Sequence, residues 1–485
     1  MSFIDRAVLA INPEAGYRRI KARAAANAVM NYDAASKGRR TYGWQSPATS
    51  ADASVNMSRP RLRQLSRDMI RNRPYAARGQ AVVTGNVVGT GITPSVKFET
   101  VEDDDIEPGE NAKARTKASL KLVKAHLMTP AIDVYGVHGM AGLQAQVMDT
   151  VFSDGEVLVR RRLRARRYNP TLPVLLQIQL MEADHLNETI TSYGQNEVVE
   201  GVEYGPTGAI EAYHLYTRHP GDNRWWSRGS LVSERVPAGE ILHIRRVSRP
   251  GQLRGVPWLA PVMMTLGELS DYQEAQILKQ RIASLLAFFV KAADGSKPYD
   301  GKAIQEVSPG AVIGLEEGQD IVAATPPPVD GYSDFMRQGL ATIAMGLGIT
   351  YESFSGDLRG VNFSSGRMGR MEMDRFIQMW QQQIIIAQFC NGVSRWFLDA
   401  WRLQSAGEDM PDRPSELEGT APRRPMIDPS KEINAAVAEI DAGLTSRQRK
   451  QREMGFDPDT IAAERAEDAA RDGTPTQQTE KDVAA

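Results

Sequence analysis

The residues best suited to phosphate chemistry lie in the segment GSKPYDGKA, at Gly295–Ala303. A loop that cradles nucleotide phosphates needs four residues between its glycines, followed by Lys and a Ser or Thr that binds magnesium. This segment has five residues between the glycines, and Ala303 stands where the hydroxyl is required. We therefore expect no nucleotide-hydrolysing loop here.

The histidines, the single cysteine and the glycine-rich motifs predict no metal, cofactor or catalytic residue. No two histidines have HExxH spacing, and none neighbours a cysteine ligand. Cys390 lies in an apolar helical run and is predicted to be a buried structural thiol. No GxSxG motif is present, and the glycine-rich segment 85–91 precedes a strand instead of a helix, which indicates a turn. The histidines are His126, His138, His185, His214, His219 and His243.

Two basic segments are candidates for phosphate contact. The first is either a phosphate-contacting patch or a solvated edge strand and turn, in which arginines discourage edge-to-edge pairing, and we favour the second interpretation. Its arginines are Arg160, Arg161, Arg162, Arg164, Arg166 and Arg167. The second comprises Arg447, Arg449, Lys450 and Arg452 on a short helix opened by Thr445 or Ser446. A solvated helix face is favoured there over a helix-turn-helix.

The elements around these residues alternate between helical and strand periodicity. Asn12-Pro13 predicts the start of a helix that runs to about Val29, and the small polar stretch 46–57 is a linker. Helical spacing returns at 61–70 and 74–88, and a strand follows at 92–98. The acidic run 102–110 is predicted to be a solvated loop. Strands are then expected at 156–159, 174–180, 211–216 and 240–245, which predicts a mixed α+β region up to about residue 255.

Three long helical patterns occupy the second half of the chain. The first, 261–290, would span roughly 45 Å and is separated from the second, 332–347, by a β-like insert. The third runs from Ser365 to about Gln404 with Ser364 or Ser365 as its N-cap, and would span roughly 60 Å. A Pro-rich linker, a helical module at 427–471 and a disordered tail complete the chain.

The overall composition indicates a folded protein without a strong preference for polyanions. The 485 residues include 58 basic and 60 acidic side chains, giving a net charge of −2. A static nucleic-acid binder is usually basic, so near-neutrality argues against tight DNA binding but permits a channel through which DNA slides. The apolar stretch 282–290 is about half of what a membrane span needs, and no signal peptide is recognisable. We therefore expect a soluble protein made in a reducing cytoplasm.

Five segments, in order along the chain, resemble the lambda-type phage portal proteins. They cover essentially residues 13 to 470, and a match to five blocks in order is not expected by chance. The segments are SRDMIRNRPYAARGQ, LQIQLMEADHL, GVPWLAPVMMTLGELSDYQEAQILKQRIAS, GYSDFMRQGLATIAMGLGITYESFSGDLRGVNFSSGR and RRPMIDPSKEINAAVAEIDAGLTSRQRKQREMG.

The resemblance implies an α+β portal-type fold in a dodecameric ring at one capsid vertex. The expected regions are an N-terminal arm and linker (1–60), a mixed α+β wing (61–255), a first stem helix (256–291), a clip (292–329), a second stem helix (330–350), a tunnel loop (351–364), a long wing helix (365–408), a linker (409–426), a helical crown (427–471) and a disordered tail (472–485).

The resemblance further implies that the tunnel loop narrows the channel. The loop residues expected to face DNA are Gly356, Asp357, Leu358, Arg359, Gly360, Val361, Asn362, Phe363 and Ser364. Two glycines permit movement, and Asp357 offsets the only formal cation, Arg359, so that the loop would touch the DNA backbone while holding it weakly. We hypothesise that Arg359, Asn362 and Ser364 contact phosphates transiently. A nearly equal alternative is that they only cap and hydrogen-bond within the loop.

The implied partners are further copies of the chain, double-stranded phage DNA bound transiently and without sequence preference, the terminase large subunit, a head-completion or tail connector protein, and a major capsid or scaffolding protein. No membrane partner and no cofactor are expected. The protein would be assembled in the host cytoplasm and reside in the virion. A packaging-associated enzyme and a plain capsid or adaptor component are the alternative functions.

Overall fold

The computed structural model describes residues 10–29, 39–44, 48–98, 110–222, 232–284, 288–292, 319–323, 331–422, 428–454, 456 and 458–472. The chain divides into two compact units, Met1–Ser54 and Val55–Ala485. In the first unit, helix α1 (Pro13–Val29) begins as predicted, because the Asn12 side chain accepts a hydrogen bond from the Ala15 amide at 3.1 Å. The acidic run 102–109, most of the clip and the tail 473–485 lie outside the described residues.

The second unit opens with four helices. Helices α2 (Arg59–Asn72) and α3 (Pro74–Val87) carry proline in their first turn and match the predicted helices. Strand β1 (Thr93–Lys97) follows, as predicted. Helices α4 (Glu110–Leu127) and α5 (Met140–Asp154) come next, and no prediction was made for them.

Two antiparallel sheets form the strand-rich region. The first has the order β3–β2–β9, with β2 (Glu156–Leu163) at its centre. β3 (Leu176–Met181) and β9 (Ile241–Arg245) flank it, which confirms the predicted strand pair. The second sheet runs in simple order through β4 (Ser192–Tyr193), β5 (Asn196–Val199), β6 (Val202–Tyr204), β7 (Ile210–Tyr216) and β8 (Ser233–Pro237).

A close backbone crossing fixes the end of α5 against the segment before the first long helix. Gly155 closes α5 with a φ of 89°, and a Cβ there would lie 2.3 Å from the Val256 carbonyl carbon. Gly255 is equally confined, because its Cβ would lie 2.2 Å from the Gly155 oxygen. Only glycine fits at both crossing points.

The first predicted stem helix is shorter than its sequence pattern indicated. Helix α6 covers Met263–Ser284, and Phe288–Ala292 forms strand β10 instead of the predicted helical continuation to Val290. β10 pairs antiparallel with β11 (Gln319–Ala323). The helical prediction was wrong because the β-branched and aromatic residues of β10 suit a strand as well as an apolar helix face. Helix α7 (Tyr332–Leu347) matches the second predicted stem helix and ends at Gly348, with φ 76°.

The long helix predicted from Ser365 is present and nearly continuous. After the short helix α8 (Tyr351–Ser355), it begins as α9 (Phe363–Trp380) and passes through a π-helical segment, Gln381–Cys390. It ends as α10 (Asn391–Ser405). The Gln388 side chain bonds both the amide and the carbonyl of Arg245, at 2.9 and 3.0 Å, so the helix covers the free edge of the first sheet.

The linker predicted at 409–426 contains a strand. β12 (Glu416–Thr420) pairs with β1 in antiparallel register and buries Leu417. The prediction was wrong because Pro and charged residues around Leu417 concealed a strand with only one buried side chain. The predicted helical module is confirmed as α11 (Pro429–Asp441), α12 (Arg447–Glu453) and α13 (Pro458–Asp472).

One large hydrophobic cluster joins α3, α5, α7 and the long helix, while a smaller one lies beneath the second sheet. At the centre of the large cluster, the Trp258 ring lies 4.8 Å from Trp380 and 5.8 Å from Phe152, and its indole nitrogen donates to the Leu347 carbonyl at 3.1 Å. The α+β fold class is confirmed. Within the described residues, no helix has the length and apolar character needed to cross a membrane.

Candidate functional site

The predicted tunnel loop, 351–364, begins with the short helix α8 and ends in the first turn of the long helix. Thr350 caps α8 by accepting a hydrogen bond from the Ser353 amide at 3.3 Å, and Gly356 ends that helix with a φ of 72°. Gly360 also has a left-handed φ, of 78°, so glycine provides the backbone conformation at both positions. The loop proper is therefore 356–362, a tight and ordered turn.

An ion pair organises the tip of this loop. The Asp357 carboxylate accepts hydrogen bonds from the Arg359 amide at 3.0 Å and from its guanidinium at 2.9 and 3.0 Å. The Tyr351 hydroxyl donates a further bond to Asp357 at 3.2 Å. These bonds, with that from the Arg359 guanidinium the strongest, hold the Asp357 pKa well below its usual range. Arg359 is 83% exposed and Asp357 only 15%, so the guanidinium faces outward while its charge is matched.

The end of the loop is a capping box, and the predicted N-cap was wrong by two or three residues. The Asn362 side chain accepts from the Ser365 amide at 2.8 Å, and the Ser365 hydroxyl lies 3.1 Å from the Asn362 amide. Asn was overlooked because two serines follow it. Phe363 and Ser364 consequently belong to the first turn of α9 and not to the loop.

The same region exposes apolar side chains. Leu358 at the loop tip is 68% exposed and Phe363 is 56% exposed, while Val361 is half-buried. Together with the neutralised Asp357–Arg359 pair, they give the loop a surface with no net charge. Such a surface can contact a polyanion through single hydrogen bonds and van der Waals contacts without binding it tightly.

Within the basic segment, only Arg160 lies at the centre of the first sheet. Leu158, Val159 and Arg160 pair with strands on both sides, and Arg161 and Arg162 pair with β3 alone. Arg164, Arg166 and Arg167 follow the end of β2. The favoured edge strand and turn therefore fits the segment after Arg160 and not Arg160 itself, and the arginine stems extend over the sheet to polar partners.

Most arginines of this segment are engaged with neighbouring side chains. Arg162 donates to Gln179 at 2.7 and 3.0 Å, and Arg164 donates to Gln177 at 2.8 Å. Arg166 forms a bidentate pair with Glu408 at 2.9 and 2.7 Å. Arg160 and Arg161 make longer ion pairs, at 3.5 Å with Glu234 and 3.9 Å with Asp399, and the exposed Arg167 lies over the Tyr168 ring. No hydrogen bond or ion pair between described residues links this segment to the loop.

A buried charge network, which the sequence did not predict, joins α2 to the first sheet. Glu156 is fully buried and bonds to Arg254 at 2.9 Å, to His243 at 2.9 Å and to the Gly255 amide at 2.7 Å. Arg63 of α2 adds a contact at 3.4 Å. Burial alone would raise the pKa of Glu156, but Arg254 and the other partners outweigh it and lower the pKa well below 4.5. The one sequence feature that indicates this network is the spacing of Arg59, Arg63 and Arg67, which places three arginines on one face of α2.

Glu182, Asp184 and His219 bring three potential metal ligands together. Two contacts favour an ion-pair cluster over a metal site. The Arg67 guanidinium already lies 3.0 Å from Glu182 and 2.6 Å from Asp184. The Gly221 amide donates to His219 Nδ1 at 3.0 Å, so the proton of a neutral ring is on Nε2, the atom facing Glu182 at 3.1 Å.

The remaining candidates have structural roles. Cys390 is buried, and burial raises the pKa of its thiol to about 12, so it is a structural thiol as predicted. In α12, Ser446 is the N-cap and accepts from the Arg449 amide at 3.1 Å. Lys450 pairs with Glu439 at 2.6 Å and with Glu453 at 3.3 Å, which fits the favoured solvated, ion-paired helix face.

Comparison with known proteins identifies the class to which this fold and loop belong. The family model described as phage portal protein, lambda family, matches residues 37–381. The probable portal protein of Halomonas phage phiHAP-1 is 26% identical over 448 residues, which cover 88% of this chain and 83% of that protein. Portal protein B of Escherichia phage lambda is 19% identical over 484 residues, covering 88% and 86%. The chain belongs to the lambda family of phage portal proteins.

Two solved structures are also similar. A chain from the neck of a native gene transfer agent particle, computed with C12 symmetry, is 12% identical, with a TM-score of 0.47 and coverage of 86% of this chain and 98% of that chain. An HK97-family phage portal protein from Corynebacterium diphtheriae is 9% identical, with a TM-score of 0.32 and coverage of 75% and 94%.

Proposed function

We propose that this portal protein assembles into a closed ring at one capsid vertex and that the ring is the conduit for double-stranded DNA during packaging and ejection. The observation that carries the conduit role is the exposed loop tip, where Asp357 cancels the charge of Arg359. In a ring, each subunit would present this neutral tip to the duplex. Because phosphate binding strengthens with each unpaired cation, a neutral tip lets DNA move past.

The ring is proposed to be dodecameric, to reside in the virion and to be assembled in the host cytoplasm. It would dock the terminase large subunit during packaging and a head-completion or tail connector protein afterwards, within a shell of major capsid or scaffolding protein. No enzymatic step is assigned to the chain. The competing enzyme function predicts ATPase or nuclease activity in the purified protein, and a measured activity that co-purifies with the ring would favour that function.

The regional assignments are proposals of the same kind. Helices α6 and α7 fit the stem pair, because they flank the insert 292–329. The β10–β11 ladder lies between the two helices, with β11 inside the insert. The insert would be the clip. Helices α11–α13 would form the crown, and the long helix the wing helix.

The loop geometry favours one residue as the candidate for transient phosphate contact. Asn362 is committed to the helix cap, so Arg359 is the better candidate for transient phosphate contact. Arg359→Ala would remove the contact, whereas Asp357→Asn would leave the Arg359 charge unmatched at every subunit. We expect Asp357→Asn rings to retain DNA more strongly, with a steeper salt dependence, and Arg359→Ala rings to retain it less.

Packaging and ejection assays on Asp357→Asn and Arg359→Ala test whether the two substitutions change DNA retention in opposite directions. The exposed Arg395→Ala on α10 is the matched control, because it removes one exposed arginine outside the loop. Equal DNA retention in wild type and both loop variants would reject the contact. Electron microscopy of the purified full-length chain tests the ring itself: closed rings with a channel of duplex width are expected, and particles without a central channel would support a plain capsid or adaptor component.

A further inference from the structure

One face of α9 is exposed although it carries apolar side chains. Met368 and Met379 are 73% and 40% exposed and lie on one side of the helix with Glu372 and Arg375. These four residues, which we call the α9 stripe, are spaced four, three and four apart. The opposite face, with Met373, Ile377 and Trp380, is buried in the core. The stripe therefore has no covering element within the described part of the chain.

A second stripe with the same spacing lies on α6. Met264 and Leu278 are 77% and 57% exposed and are joined along one face by Glu268, Asp271 and Ala275. We call these five residues the α6 stripe. The buried side of α6 packs on α7, where Leu269 contacts Gly339. Because residues alternately four and three apart line one face of a helix, each stripe can pack lengthwise against another helix.

We propose that the α9 stripe of one subunit packs against the α6 stripe of its neighbour and so forms part of the interface that closes the ring. The proposal rests on the ring of the proposed function and adds which surfaces meet. A ring needs two different patches on each subunit, because each contact is head to tail. Two exposed helix faces of matching periodicity on one chain meet that requirement.

Charge and length select this pairing. The exposed carboxylates of the α6 stripe, Glu268 and Asp271, make no ion pair with any described residue, and the same holds for Arg375 of the α9 stripe. Packed antiparallel, the stripes place Arg375 beside Asp271 and Glu372 opposite Ala275, away from the carboxylates, and cover a methionine at each end of the α9 stripe. The α9 stripe spans about 16 Å and the α6 stripe about 21 Å, so the shorter fits within the longer.

A DNA-facing role suits the two stripes less well. The carboxylates of the α6 stripe would repel phosphates, and the exposed methionines of both stripes offer them no hydrogen bond. A second copy of the chain supplies both the apolar cover and the opposite charge. Opposite charges across such an interface also fix its register.

Charge exchange tests the pairing in the full-length protein. Arg375→Glu is expected to raise the concentration at which half of the chain is in rings by about tenfold or more, because like charges would meet at every interface. Asp271→Arg should do the same, and the double variant should restore assembly. Arg395→Glu, an exposed reversal elsewhere on the long helix, should leave assembly unchanged. Analytical ultracentrifugation measures the ring fraction.

Disulfide trapping provides a second measurement that does not depend on assembly strength. In a Cys390→Ala background, Ala275→Cys with Glu372→Cys should give a ladder of covalent multimers on oxidation of assembled rings. Ala275→Cys with Leu163→Cys is the control, since Leu163 is equally exposed on β2.

The outcomes separate this proposal from the ring itself. The stripe pairing would be overturned if the wild type forms rings but the double charge variant is not rescued and the double cysteine variant gives no ladder. The proposed function would then remain intact. Normal assembly of Arg375→Glu with altered DNA retention would also overturn it, since the α9 stripe would then face DNA. A wild-type chain that forms no ring under packaging conditions would remove the basis of both.

Discussion

At the scale of single residues, the most demanding position is Glu156, a carboxylate with no solvent access between two arginines and a histidine. Glu156→Gln would remove the only fully buried carboxylate that Arg254 and Arg63 share, leaving Arg254 with Glu188 and Glu200 and Arg63 with Asp184. Breaking a buried ion pair costs about 3–5 kcal/mol, and the remaining partners place this case at the lower end. We expect that loss in the free energy of unfolding measured by urea denaturation at neutral pH. The control Glu268→Gln, at an exposed carboxylate, should change the free energy of unfolding by less than about 0.5 kcal/mol. An equally small effect of Glu156→Gln would show that the network adds no net stability.

The buried Glu156 carboxylate should also make the folding stability fall at acidic pH. Its pKa in the folded protein lies well below the ordinary value of 4.5, so the folded state favours the charged carboxylate. The stabilisation is therefore fully present above the unfolded pKa and is lost as the pH falls through the folded pKa. The stability difference between wild type and Glu156→Gln should be constant from pH 7 to about 5 and shrink below about 4.5. A difference that stays constant down to pH 3 would contradict this linkage.

At the scale of elements, the capping box decides where the loop ends and the long helix begins. Asn362→Ala removes the acceptor for the Ser365 amide and should cost about 0.5–2 kcal/mol in the unfolding free energy. Ser364→Ala is the matched control, because its hydroxyl belongs to neither half of the box. Amide hydrogen exchange in the first turn of α9 should quicken in Asn362→Ala alone. Unchanged protection there would show that tertiary packing, and not the cap, holds this turn.

The elements that were predictable are those whose periodicity and end signals agree. Asn12-Pro13, Pro74 and Gly348 mark helix ends that the structure confirms. β10 was missed because a short apolar run fits a helix and a strand alike, and β12 because Leu417 is its one buried side chain. In both cases the pairing with a distant partner decides the structure.

The loop residues could be located only by resemblance to a family, whereas the Asp357–Arg359 pair required coordinates. The sequence places the two charges two residues apart, but whether they face each other depends on the left-handed glycines beside them. The network around Glu156 was invisible for a similar reason. Its members come from residues 59 to 254, and the arginine spacing along α2, the one local signal, does not indicate their partners.

At the scale of the whole molecule, both hydrophobic clusters that the described residues form lie in the second unit. A chain beginning at Val55 should therefore keep its thermal unfolding midpoint within about 2 °C of the full-length value, since it retains both of these clusters. Near-UV circular dichroism follows the transition through Trp258, Trp380, Trp396 and Trp401, which are all retained and buried. A truncation that instead ends at Glu408 removes β12 and the buried Leu417, and it should lower the midpoint by several degrees. A larger drop in the midpoint of the chain beginning at Val55 than in the chain ending at Glu408 would contradict this expectation.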